Sequence, residues 1–281
     1  MLNNFFEFLS YDFVQRALIA GILVAVCAAV LGVILILKRY ALIGHGLSEI
    51  AFASCSAANA LNLSPLIFAA PVVIFSAFLI LFISIKRKIG GDIAIAAVSS
   101  CALALGVIIT SISSGFNSSV YGYMFGSILA LDNQDVILAI ALSGFIILIF
   151  IIFYNRLFII TYNEDYARSL GLNVNFYQAL IALTTALVIL TGMRIMGALL
   201  ISSLIIFPAL TAGKLASSFR AIILIAALIA LISFAAGIFI SFIYNLPAGA
   251  SIVIANAGLF MLIIIFKNLI LIFKVKEGIY R

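Results

Sequence analysis

The stretch from residue 17 to 37 carries no charged side chain, and it is the first of nine apolar runs that together use up most of the chain. A helix needs about 20 mostly apolar residues to cross the hydrocarbon core of a bilayer, and helices in that core satisfy their own backbone groups. The runs begin near Ala17, Ala41, Pro65, Ile93, Val136, Phe176, Ile195, Ala221 and Ala250, separated by polar residues or by Gly and Pro. Charged residues make up 9% of the chain, against roughly a quarter in soluble domains, so water is not its main solvent. The expected fold class is all-α: a polytopic transmembrane helix bundle of about nine spans, forming a single integral membrane domain over residues 1–281. Residues 118–131 lie between Ser113-Ser114-Gly115 and the acids Asp132 and Asp135, and are too short a run to span, so a re-entrant or interfacial helix is expected there. The first run lacks a small-residue cleavage pattern and is read as a retained anchor. Cys27, Cys55 and Cys101 sit in separate apolar runs, without disulfide or zinc-knuckle spacing, and read as small packing residues.

Cytoplasmic loops retain Lys and Arg close to the ends of spans. Assigning the loops alternately puts every basic residue on one side except Arg16 and Arg194. The carboxyl terminus is therefore expected inside, and with nine spans the amino terminus falls outside. The formal charge of +6 is distributed in short clusters between apolar runs, a pattern that orients a membrane protein and argues against nucleic-acid binding. The opposite loops, such as residues 59–64 and 244–249, are short and uncharged. They are too small to capture a solute, so capture needs another protein. Inside, residues 155–175 form the longest connection, and the polar start, acidic first turn and terminal glycine of residues 163–171 predict a short capped helix at the membrane surface.

Chemistry concentrates in the second run. It holds the only histidine of the chain, His45, and an acid, Glu49, four residues on. Four steps of about 100° bring the two within about 40° of each other, on one helix face and one turn apart. An ionisable group at a helix centre costs on the order of 3 kcal/mol on insertion scales, so such groups usually face a cavity, a partner or a substrate path. Imidazole and carboxylate are shared ligands of zinc, manganese and ferrous iron. The competing structural reading places His45 at the interface, donating to a carbonyl, with Glu49 bonded to a neighbouring helix. In the seventh run Pro208 has no N–H for the Leu204 carbonyl, and Ser202, Ser203 and Thr211 supply hydroxyls, with helix packing as the default reading of the stretch. There is no GxxxxGK[ST] phosphate loop and no catalytic set of His, Cys and acids, so the chain is not expected to be an enzyme. Energy must come from an ion gradient or from another subunit.

Four segments in this order and spacing resemble the zinc/manganese-type ABC transporter permease family over essentially the whole chain. They are Lys38-Arg39-Tyr40-Ala41-Leu42-Ile43-Gly44-His45-Gly46-Leu47-Ser48-Glu49, Tyr123-Met124-Phe125-Gly126-Ser127-Ile128-Leu129, residues 197–212 with their Pro-Ala-x-Thr-Ala ending, and Asn245-Leu246-Pro247-Ala248-Gly249. The resemblance implies the permease subunit of an ATP-driven importer for zinc, manganese or iron in a bacterial cytoplasmic membrane. It implies a homodimer, an ABC ATPase partner that binds the ATP, an extracytoplasmic metal-binding protein and no permanently bound cofactor. His45 and Glu49 stand where the family has Asp and His, so acid and imidazole have exchanged places, and Asn245 stands where the family often has Asp. Asp165, Ala167 and Gly171 match the short coupling helix that contacts the ATPase. Ser202, Ser203, Pro208 and Thr211 fall on the helix expected to line the permeation path, and Asn245, Pro247 and Gly249 form the outer-loop motif. The rival is a gradient-driven secondary metal transporter, which would need no coupling helix.

Overall fold

The computed structural model describes residues 12–87, 91–113, 122, 126 and 132–276, which form ten α-helices and no strand. They are α1 (Asp12–Leu37), α2 (Ile43–Ala60), α3 (Pro65–Arg87), α4 (Gly91–Ser113), α5 (Asn133–Tyr162), α6 (Glu164–Ser169), α7 (Val174–Met196), α8 (Ala198–Leu215), α9 (Phe219–Tyr244) and α10 (Ala248–Lys276). All but α2 and the six-residue α6 are long and apolar enough to cross a membrane, giving eight such spans among the described residues. The expected second span forms as α2, but His45, Glu49 and its serines lower its apolarity. Such a helix is tolerated because α3, α4, α7 and α8 pack around it. The segment at 118–131 and most of the motif at 123–129 lie outside the described residues, as does Lys88.

Helices α1 and α7 are buried over most of their length and form the centre of the bundle, whereas α3, α4, α5 and α10 leave most of their surface outward. Their outward side chains include Ile67, Ile112, Ile151 and Phe266, all at least two-thirds exposed, which suits lipid. Close approach at the centre relies on small residues: a methyl on Gly32 of α1 would strike the Ile205 backbone of α8.

The expected start of the seventh run at Ile195 is displaced. Helix α7 continues to Met196, and the break falls at Gly197, with φ 87° and ψ 158°. That region is accessible essentially to glycine alone, so the chain turns there, three residues beyond the charged Arg194. Gly126 reaches this break: a methyl on it would strike the Met196 backbone. Two of the four motif segments thus meet at a pair of glycines.

Ion pairs mark both ends of the bundle. At one, Arg194 near the end of α7 lies 2.8 Å from Asp135 in the first turn of α5. Beside this pair a cavity of about 400 Å³ opens among the neighbouring ends of α2, α3, α5 and α7. At the other end, Lys38 beyond α1 lies 2.6 Å from Glu164 of α6.

Candidate functional site

Gly44 and Gly46 decide where His45 points. A methyl on Gly44 would strike Ile205 of α8, and one on Gly46 would strike Ile95 of α4. Neighbouring helices therefore close on α2 from both flanks of His45, and the histidine is left on the side between them. Before the terminal Asn59 and Ala60, only His45, Glu49, Ala53 and Ala57 of α2 are not buried. These positions recur every four residues and form one narrow stripe along the helix. His45 Nε2 lies 3.2 Å from Glu49 Oε1, with the imidazole 48% and the carboxylate 15% exposed. Glu49 thus meets a group of its own helix, and His45 stands in the first turn of α2.

Among the other α2 hydroxyls, Ser48 donates to the Gly44 carbonyl and Ser54 to that of Ile50, each at 2.7 Å, whereas the buried Ser56 Oγ has no partner among the described residues. No group of three or more His, Cys, Asp or Glu side chains placed to hold a metal occurs among the described residues. One chain thus presents two donor groups on an open face.

The hydroxyls of α8 bond carbonyls of their own helix. Ser202 donates to Leu199 and Ser203 to Leu200, each at 2.9 Å, and Thr211 donates to Phe207 at 2.7 Å. All three are buried, as is Pro208.

Helix α6 forms where its capping pattern predicts. The Asn163 side chain accepts from the Tyr166 N–H at 3.0 Å, Glu164 and Asp165 occupy the first turn, and Gly171 at φ 76° turns the chain away. Asp165 is exposed, but Ala167 is fully buried against the bundle. The outward face instead carries Tyr166 and Leu170, both more than half exposed, which the sequence motif did not single out. Their i, i+4 spacing on a polar surface helix was the available signal.

Asn245 ends α9 in the left-handed conformation, at φ 51° and ψ 41°, and its N–H bonds the Ser241 carbonyl. Ser241 Oγ donates to the Leu246 carbonyl at 2.7 Å, and the Ser251 N–H to that of Pro247 at 3.1 Å. Asn and Asp are the non-glycine residues that best tolerate this conformation, so the turn has a physical use for either at position 245. Pro247 and Gly249 flank the first residue of α10.

Two further polar sets went unforeseen: the Asp135–Arg194 pair, and the Lys38, Glu164 and Gln178 cluster. The ABC 3 transport family matches residues 10–267. This chain belongs to that family. Among its relatives, the manganese transport system membrane protein MntC of Halalkalibacterium halodurans is 31% identical, over 95% of this chain and 91% of that protein. The manganese import system permease protein ScaB of Streptococcus gordonii is 30% identical, over 93% and 94%. Among solved structures, PsaBC from Streptococcus pneumoniae in complex with Fab superposes with a TM-score of 0.83 at 31% identity, covering 94% of this chain and 95% of that one. An ABC 3 family member with these relatives is a transport permease, and the described residues accordingly make a helical bundle.

Proposed function

We propose that this chain is the membrane permease of an ATP-driven importer of divalent metal ions, with manganese as its foremost cargo. The observation that carries the reading is the His45–Glu49 pair on the open stripe of α2, in a chain whose relatives are named for manganese transport. Nitrogen and oxygen donors suit manganese, zinc and ferrous iron alike, and octahedral oxygen-rich sites suit manganese. Two donors are too few for such an ion. A second copy of the chain would bring a second pair, with water completing the shell, and this supports a homodimer. Weak, incomplete coordination suits an ion that has to leave again.

ATP is hydrolysed by a separate ABC subunit, which α6 meets through Asp165, Tyr166 and Leu170. An extracytoplasmic metal-binding protein docks on the short outer loops, including the Asn245-Leu246-Pro247 turn. Alternating access follows: metal passes between helices along the α2 stripe, and ATP-driven closure transmitted through α6 reverses the opening. The basic ends of the helices face the cytoplasm of a bacterial cell.

The test is uptake of manganese, zinc and iron by vesicles holding the assembled transporter. His45→Ala and Glu49→Gln should each stop uptake while ATPase association survives, since neither change greatly alters helix propensity. The double variant should lose little more than either single one, because two ligands of one ion act as a unit. Undiminished uptake by the double variant at normal expression would remove the site.

A further inference from the structure

Lys38 counts in the sequence as one of many basic residues that orient the chain, but its side chain is only 5% exposed. A buried ammonium is costly unless it is paired and hydrogen-bonded. Its Nζ lies 2.6 Å from Glu164 Oε1 in α6 and donates to the Ile160 carbonyl of α5 at 3.4 Å. The same Glu164 oxygen accepts from Gln178 Nε2 of α7 at 2.7 Å. One carboxylate oxygen therefore ties the surface helix to both central helices. Burial pushes the Glu164 carboxyl up, but the hydrogen bond and charge of Lys38, the Gln178 amide and the charge of Arg168 outweigh it and hold it below its ordinary value.

From Lys38 the connection runs directly into the helix that carries His45. The Lys38, Arg39 and Tyr40 N–H groups bond the Ile34, Ile36 and Leu35 carbonyls, and Arg39 is held left-handed at φ 61°. The Leu42 N–H meets Asp92 Oδ1 of α4 at 3.3 Å, and α2 begins at the next residue. A turn bonded at successive residues passes a displacement on instead of absorbing it. His45 and Gly46 lie in the first turn beyond it.

We propose that Lys38 is a coupling residue: with Glu164 and Gln178 it forms a latch that sets the position of the His45–Glu49 stripe according to the position of α6. The latch rests on the reading of α6 as the ATPase-facing element of a metal importer. A purely structural ion pair would affect stability and assembly only. The latch has to affect how many ions cross for each ATP hydrolysed.

The experiment uses the complete transporter in liposomes, with its ATPase and metal-binding protein and with Mn²⁺ as the probe. Ions imported per ATP, ATPase co-purification and thermal stability are measured together. Lys38→Met and Glu164→Gln should lower ions per ATP about tenfold, in the range of ordinary allosteric couplings, with the ATPase still bound and hydrolysing. The exchanged pair, Lys38→Glu with Glu164→Lys, should recover much of the loss. Should Lys38→Met not assemble, Lys38→Arg and Glu164→Asp, which keep the charges and alter the reach, should give intermediate ratios. An unchanged ratio in the variants that assemble, or a loss that charge exchange fails to recover, would overturn the latch and leave the importer intact. Absence of Mn²⁺ uptake by the unaltered transporter would sink the importer reading and the latch with it.

Discussion

At the scale of single residues, the exchange of acid and imidazole between positions 45 and 49 is the sharpest handle on selectivity. Both orders place the two donors on one face, one turn apart, so the exchange alters which donor lies nearer the start of α2 and keeps the ligand set. The substitution His45→Asp with Glu49→His should retain uptake and change the ratio of manganese to zinc transported, measured in competition. Loss of all uptake with intact assembly would show that the order of donors is fixed by their surroundings. Glu164 permits a second residue-scale expectation. Its carboxyl is 39% exposed, so water screens the pair with Lys38, whose value lies in connection more than in stability. With a folded pKa below the ordinary 4.5, its ionised form contributes above the unfolded value, and that contribution is lost only as pH falls through the folded one. The difference in ions per ATP between the native chain and Glu164→Gln should therefore persist from neutrality down to about pH 5.5. Its disappearance within that window would contradict the ionised latch.

At the scale of elements, α6 separates two roles that its sequence motif merged. Tyr166 and Leu170 point outward, so the double change to Ala should weaken ATPase association, read by co-purification, with little effect on the folding of the bundle. Ala167 has no exposed surface, and a larger residue there should cost about 1–3 kcal/mol through overpacking, seen as lower thermal stability. If Tyr166→Ala with Leu170→Ala leaves association unchanged, α6 is not the contact. The caps of α6 were legible because Asn163, the acidic first turn and Gly171 act locally. The break between α7 and α8 was legible to within a few residues, because Arg194 ends an apolar run, but the turn itself falls at Gly197, which only its backbone conformation announces. Gly197→Ala should accordingly destabilise the protein by about 1–3 kcal/mol through backbone strain. The site was legible in part for the same reason. His45 and Glu49 are helical neighbours, whereas Lys38 and Glu164 are 126 positions apart and no periodicity links them. The hydroxyls of Ser202, Ser203 and Thr211 were open to two readings, because a serine or threonine that bonds its own helix has the same spacing as one facing a path.

At the scale of the whole molecule, the question is which end of the bundle faces the cytoplasm, because every step of the transport cycle depends on it. The contact of Lys38 with Glu164 puts the end of α1 and the start of α6 at one end, and Gln178 adds the start of α7. Lys267 of α10 donates to the Lys214 carbonyl in the last turn of α8, bringing two more basic residues together. Arg194 lies at the opposite end, where Asp135 balances it. With its basic residues so divided, the bundle is expected to insert with the basic end inside. Single cysteines in a background lacking Cys27, Cys55 and Cys101 test this, because the native thiols, of which Cys101 is exposed, then give no signal of their own. Asn62, exposed between α2 and α3, and Ser169, exposed at the end of α6, belong to opposite ends. Asn62→Cys should react with an impermeant reagent added to intact cells, and Ser169→Cys only after permeabilisation. The reverse pattern would invert the orientation and remove α6 from the reach of any cytoplasmic ATPase.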